Sequence, residues 1–143
     1  MIVALTPQDA IITLMVLTAA SDGDMRDVEF RTIGRVVRSF SLFSQSDEEN
    51  LVETARIAGC LMSAENGLAN VFAAARQALP LHLRETAYAA MVDVVTADEN
   101  LNMTELRVLE MARERLDISD EGAQAIEHSA RVRHATLTPS EED

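Results

Sequence analysis

The stretch AASDGDMRDVE at residues 19–29 is matched 76 residues further on by VTADENLNMTE at residues 95–105. Both stretches contain the pattern D-x-[DN]-x4-E, and apolar residues at helical spacing flank each of them. Clusters of aspartate, asparagine, serine and glycine interrupt a helical pattern and form turns. The two stretches therefore predict two acidic loops, each lying between an apolar helix and the helix that follows it.

The match extends well beyond these loops. When residues 7–41 are laid on residues 83–117, apolar positions fall on apolar positions, for example Ile33 on Leu109. This internal repeat predicts two duplicated helix–loop–helix units. Two such units commonly pack about a pseudo-two-fold axis, and that arrangement would bring the two acidic loops together.

Helix-capping signals divide the rest of the chain. Thr6-Pro7 is a hydroxyl cap followed by proline at the first helical position, and Ser119 begins the last helix. Ser46-Asp47-Glu48-Glu49 is interpreted as a capping box that opens a helix over residues 47–61. No apolar–polar alternation is long enough to predict a strand. The expected fold is all-α, with about seven helices.

Length and composition agree with a single compact helical domain. The chain has 143 residues, of which 48% are hydrophobic and only 3% aromatic, so its core must be aliphatic. An alanine- and leucine-rich composition favours helices over strands. A further helix is predicted over residues 63–79, with an interruption at Asn66-Gly67.

The charge balance limits the classes of partner. Twenty-four acidic residues against twelve basic residues, all of them arginine, give a formal net charge of −12. Such a chain is repelled by nucleic-acid phosphates and by anionic membrane surfaces. We therefore expect cations or a basic protein as partners, no nucleic acid and no membrane insertion, with a homodimer left open.

The single cysteine and the N-terminal segment carry little functional signal. Cys60 lies in an apolar stretch and is expected to be a buried small hydrophobe. The uninterrupted apolar run of residues 10–17 is too short to cross a bilayer. The expected location is the cytoplasm.

The acidic loops carry the residues that could bind a metal ion. Aspartates one residue apart direct oxygens into a tight loop, and a glutamate in the first turn of the next helix can reach back across it, as in other oxygen-ligand sites. All-oxygen ligation suits calcium, magnesium or manganese better than zinc. The predicted ligands come from both loops: Asp22, Asp24, Glu29, Asp98, Asn100 and Glu105.

Helix capping is the alternative explanation for the same residues. Asn102 and Glu105 have the spacing of a capping box, and Asp24 could cap the second helix. Acidic residues in a first turn also favour the helix dipole. Capping does not require Asp22 and Asp98, however, which lie two residues further back.

The two motifs resemble the signature stretches of the TerB tellurite-resistance family, which read small-small-x-D-G-x5-E twice per domain. The resemblance implies an all-helical domain over residues 1–134, followed by an acidic, frayed tail at 135–143, and it implies divalent-metal binding by the loop acids. Glu99 departs from the family pattern, which has glycine there. Tellurite is itself an oxyanion that carboxylates repel, so any contribution to tellurite resistance would be indirect.

The expected function is therefore a non-enzymatic, divalent-cation-binding module of the TerB type, acting in the tellurite or metal-stress response. The alternative is a purely structural acidic adaptor for protein–protein interaction that binds no metal. A metal-dependent hydrolase would need a cleft and a nucleophile or general base, for which the sequence shows no sign. Arg131, Arg133, His128 and His134 are interpreted as an exposed basic face of the last helix.

Overall fold

The computed structural model describes residues 5–20, 26–97 and 103–138. These residues form eight α-helices and no strand: α1 Pro7–Ala19, α2 Asp27–Ser39, α3 Gln45–Glu49, α4 Leu51–Ser63, α5 Gly67–Ala78, α6 Leu81–Ala97, α7 Met103–Arg115 and α8 Asp120–Arg133. The predicted all-α fold is confirmed. None of the described helices is both long enough and apolar enough to span a bilayer.

Two predicted helix starts are confirmed by their hydrogen bonds. The Thr6 hydroxyl accepts from the backbone N–H of Asp9 at 3.1 Å and caps α1. The Ser119 hydroxyl accepts from the backbone N–H of Gly122 at 3.0 Å and caps α8. Each cap satisfies a backbone donor that the first helical turn leaves without an intrahelical partner.

The predicted helix over residues 47–61 was wrong in its start and in its continuity. Ser44, not Ser46, is the N-cap, and its backbone N–H donates to the Asp47 carboxylate at 2.8 Å. The chain leaves helical geometry at Asn50, which ends the short helix α3 and precedes α4. The described residues therefore contain eight helices instead of about seven.

The predicted interruption at Asn66-Gly67 separates α4 from α5. Asn66 adopts a left-handed conformation with φ of 58°. A Cβ atom added to Gly67 would lie 2.2 Å from the carbonyl oxygen of Met62. Glycine is needed here because the start of α5 passes directly against the end of α4.

Helices α1 and α6 form the centre of the domain. α1 packs against α6, α4 and α5, while α6 also packs against α8. Every residue from Ala10 to Ala19 is buried, as expected for a helix surrounded by others on all sides. The core is aliphatic apart from the buried side chains of Phe72 and Tyr88.

The two helical hairpins, α1 with α2 and α6 with α7, pack against each other. α2 packs against α6 as well as α1, and α7 packs against α1 as well as α6. α2 begins at Asp27 and α7 at Met103, the same 76-residue separation that relates the two sequence motifs. The acidic loops are the connections from α1 to α2 and from α6 to α7.

Cys60 is exposed, so its predicted burial was wrong. α4 buries Leu51 and Ala58 against the core. Cys60 follows Ala58 by two residues, which places it on nearly the opposite face of the helix.

Candidate functional site

Two of the six predicted metal ligands lie within the described part of the chain. Glu29 stands in the first turn of α2, and Glu105 stands in the first turn of α7. Asp22, Asp24, Asp98 and Asn100 lie outside the described residues. The predicted six-residue site therefore remains a prediction.

Glu29 makes the contacts of a helix-capping residue. Its carboxylate accepts from the backbone N–H of Arg26, the N-cap of α2, at 2.6 Å. It also accepts from the Arg26 guanidinium, at 3.2 Å from Nε and 3.0 Å from Nη2. Both carboxylate oxygens are thus bound by donors, as in a capping interaction, although the capping alternative named Asp24 and not Glu29 for this helix.

Glu105 is buried slightly more deeply than Glu29, whose side chain is 12% exposed. It is 5% exposed, although it occupies the corresponding first-turn position of α7. A carboxylate is seldom buried to this degree unless it is paired or coordinates a metal. Glu105 therefore differs from an ordinary solvent-exposed first-turn acid.

Described residues next to each acidic loop line one cleft. Ala20 directly precedes the loop of residues 21–25 in sequence, and Thr104 is the second residue after the loop of residues 98–102. Ala20 and Thr104, together with Arg107, line a cleft of about 240 Å³ between α1 and α7 that Met62 of α4 and Leu68 of α5 also line; we call it the α1–α7 cleft.

No group of three or more histidine, cysteine, aspartate or glutamate residues that could hold a metal ion occurs within residues 5–20, 26–97 and 103–138. The predicted site draws its other ligands from the two loops, residues 21–25 and 98–102, which lie outside these ranges. Glu29 and Glu105 are the two predicted ligands that lie in described helices, each shortly after one of the loops in sequence.

The most buried charged group among the described residues was not anticipated by the sequence analysis. Asp93 is 2% exposed in the middle of α6, and its carboxylate accepts two hydrogen bonds from Arg133, at 2.8 Å from Nη2 and 3.0 Å from Nη1. Hydrogen bonding to Asp93 is the main cause of the raised pKa of the Arg133 guanidinium. A lone aspartate inside the run Met91–Val95 was the sequence signal for a buried ion pair.

The predicted exposed basic face of the last helix is confirmed for His128, Arg131 and Arg133, which are exposed, and was wrong for His134, which is half-buried. Arg133 also binds the buried Asp93, and the Nε2 atom of His134 lies 3.5 Å from the same carboxylate. The C-terminal end of α8 is thus fixed to α6 by charged contacts.

Tyr88 makes a second polar connection between α6 and α8. Its ring is buried, and its hydroxyl donates to the Glu127 carboxylate at 3.2 Å. Burial raises the pKa of Tyr88 well above its ordinary value, and the neighbouring Glu127 raises it further.

The sequence matches one family model, described as tellurite resistance protein TerB, over residues 8–128. No curated protein and no solved structure matches the sequence. The matched segment includes both acidic loops and all eight described helices in whole or in part.

Proposed function

Because the chain belongs to the TerB tellurite-resistance family, we propose that it is a non-enzymatic module that binds a divalent cation between its two acidic loops. The proposed ligands are Asp22, Asp24, Glu29, Asp98, Asn100 and Glu105. The proposed cellular role is in the tellurite or metal-stress response, through an acidic surface presented to a protein partner.

The observation that carries the proposal is the shared cleft at the loop ends. Ala20, the residue before the first loop, and Thr104, two residues after the second loop, line the same α1–α7 cleft. Carboxylates from two such loops repel one another without a cation and can share one when it is present. The buried Glu105 beside the second loop adds an oxygen donor at the same edge.

A bound ion would connect the two hairpins. α1 and α2 flank the first loop, while α6 and α7 flank the second, and these pairs already exchange contacts. An ion that bridges the loops stabilises the folded state by RT ln(1 + [L]/Kd), about 2.7 kcal/mol at 100 times the dissociation constant. Ion binding would also remove negative charge from the surface that a partner meets.

A metal-free acidic adaptor is the second candidate, and Glu29 favours it. The carboxylate of Glu29 is bound by the backbone and the guanidinium of Arg26, so it already has a structural role in capping α2. In the cation-binding state, Glu29 would have to exchange at least one of these contacts for the ion. In the adaptor, it would keep both.

Thermal unfolding with calcium, magnesium, manganese or zinc separates the two candidates. The parent is compared with Asp22→Asn/Asp98→Asn, which loses two proposed ligands, and with Asp120→Asn/Glu121→Gln, which loses two first-turn carboxylates of α8. Cation binding predicts a shift of several degrees in the parent and the α8 variant that is absent from the loop variant. Equal behaviour of all three proteins with every ion would contradict cation binding and favour the adaptor.

A further inference from the structure

Positions that lie 76 residues apart in the two hairpins line two separate clefts. The α1–α7 cleft is lined by Thr104, by Arg107 and by six apolar residues, of which four belong to the repeat: Leu17, Ala20, Val108 and Met111. A second cleft, of about 460 Å³, lies between α2, α6 and the C-terminal end of α8, and we call it the α2–α6 cleft. The residues 76 positions away from those four line this second cleft: Asp93, Thr96, Thr32 and Arg35.

At these four positions, apolar residues of the α1–α7 cleft correspond to polar or charged residues of the α2–α6 cleft. Leu17 corresponds to Asp93, and Met111 corresponds to Arg35. The helix packing therefore accepts apolar residues at these positions, as the α1–α7 cleft demonstrates. A buried ion pair is seldom more stabilising than apolar residues of similar size.

The α2–α6 cleft presents a cationic group that forms no ion pair with a carboxylate of the described residues. Arg35 is exposed, and its Nη2 atom donates to the Thr32 hydroxyl at 3.3 Å. Among residues 5–20, 26–97 and 103–138, Arg35 makes no salt bridge. The other arginine of the cleft, Arg133, is paired with Asp93, so Arg35 is the arginine of the cleft that has no ion pair among the described residues.

The hydroxyl groups of the cleft are arranged as acceptors. The hydroxyl of Thr96 donates to the Val92 carbonyl at 2.7 Å, and that of Ser39 donates to the Val36 carbonyl at 2.7 Å. Thr32 donates in the same way within α2, at 3.0 Å. Because each hydroxyl proton is already used by the backbone, the oxygen lone pairs remain to accept from a ligand.

We propose that the α2–α6 cleft binds a small organic anion, which places a carboxylate or phosphate group on Arg35 and donates a hydroxyl group to the oxygens of Thr96 and Ser39. An arginine guanidinium matches the geometry of both anionic groups. A volume of about 460 Å³ falls within the range of small-molecule sites. This site is independent of the proposed cation site and needs no metal ion.

The test is a titration of the full chain in metal-free buffer, in which binding is measured from amide chemical shifts and by calorimetry. The probes are L-malate for the carboxylate arm and glycerol 3-phosphate for the phosphate arm. Succinate, which lacks the malate hydroxyl, is the control ligand. We expect saturable shifts of the amides of Thr32, Arg35 and Thr96 with at least one of the two probes.

Two matched substitutions locate the site. Arg35→Met introduces the residue of the α1–α7 cleft at the corresponding position and should weaken binding of the probe at least tenfold. Arg31→Met, one helical turn earlier on α2 and outside the cleft, should change the affinity less than twofold. If Arg35→Met does not fold, as judged by circular dichroism, Arg35→Gln takes its place.

Thr96→Ala tests the hydroxyl contact, since alanine is the residue at the corresponding position, Ala20. It should weaken binding of the hydroxylated probe severalfold and leave the affinity for succinate or inorganic phosphate unchanged. Absence of saturable binding by both probes would overturn the proposal, as would equal binding by the parent and Arg35→Met. If malate binds more tightly than glycerol 3-phosphate, and succinate binds as tightly as malate, the proposed hydroxyl contact is overturned.

Discussion

Replacing Arg133 by alanine should destabilise the protein far more than the exposure of Arg133 suggests. The Arg133 side chain is 48% exposed, but it supplies both hydrogen bonds to Asp93, whose side chain is only 3% exposed. Removing one partner of a buried ion pair costs about 3–5 kcal/mol because the other charge stays buried. Water can enter beside the half-exposed Arg133 position and His134 remains nearby, so we expect about 2–3 kcal/mol.

The measurement is urea and thermal unfolding at neutral pH. For a domain of this length, the expected loss corresponds to a fall in Tm of about 6–12 °C. Arg131→Ala is the matched control, because Arg131 is exposed and makes no salt bridge within the described residues. Its effect should stay within about 0.5 kcal/mol.

A double variant separates the cost of the orphaned charge from the loss of packing. Asp93→Leu/Arg133→Met replaces both partners with apolar residues, and leucine is already the residue at the corresponding position, Leu17. We expect it to be about as stable as the parent, or more stable. Equal stability of Arg133→Ala and Arg131→Ala would refute the argument, because the pair would then contribute nothing measurable.

Three further predictions concern single positions. Because the pKa of Tyr88 is raised in the folded state, its contribution to stability is complete below the unfolded-state pKa of about 10 and falls by about 1.4 kcal/mol per pH unit above it. The chain has one tyrosine, no tryptophan and no lysine, so absorbance at 295 nm should report phenolate only as circular dichroism is lost. Tyr88→Phe should abolish this alkaline loss of stability. Gly67→Ala should lower the free energy of unfolding, measured in urea, by about 1–3 kcal/mol, because the new Cβ would lie 2.2 Å from a backbone carbonyl oxygen. Gly59→Ala, whose Cβ would have no neighbour within 4 Å, should stabilise α4 by about 0.5–1 kcal/mol. A change of the same sign in both variants would contradict the steric argument. Ser119→Ala should lower the free energy of unfolding by about 1 kcal/mol through loss of the α8 cap, and Ser119→Asp should restore most of it.

The sequence by itself determined the elements that depend on near neighbours. The caps at Thr6 and Ser119 join residues three positions apart, so residue type and spacing were enough to predict them. Helical periodicity likewise predicted the all-α fold, and the acidic turn chemistry placed the two loops. The short helix α3 was missed because Ser44 and Ser46 both have the spacing of a cap; Ser44 is the one that binds Asp47, and the helix ends at Asn50.

The tertiary structure decided which side chains meet across the domain. Asp93 and Arg133 are 40 residues apart, and they are paired because α6 and α8 pack side by side. Cys60 is exposed because of the rotation of α4 about its axis, which a short apolar run does not specify. The difference between the two clefts also appears only in three dimensions, since the repeat aligns Leu17 with Asp93 and Met111 with Arg35 but does not indicate that each set lines a cleft. Local hydrogen bonds are specified within a few residues of sequence, whereas these contacts depend on how distant helices are placed and rotated against one another.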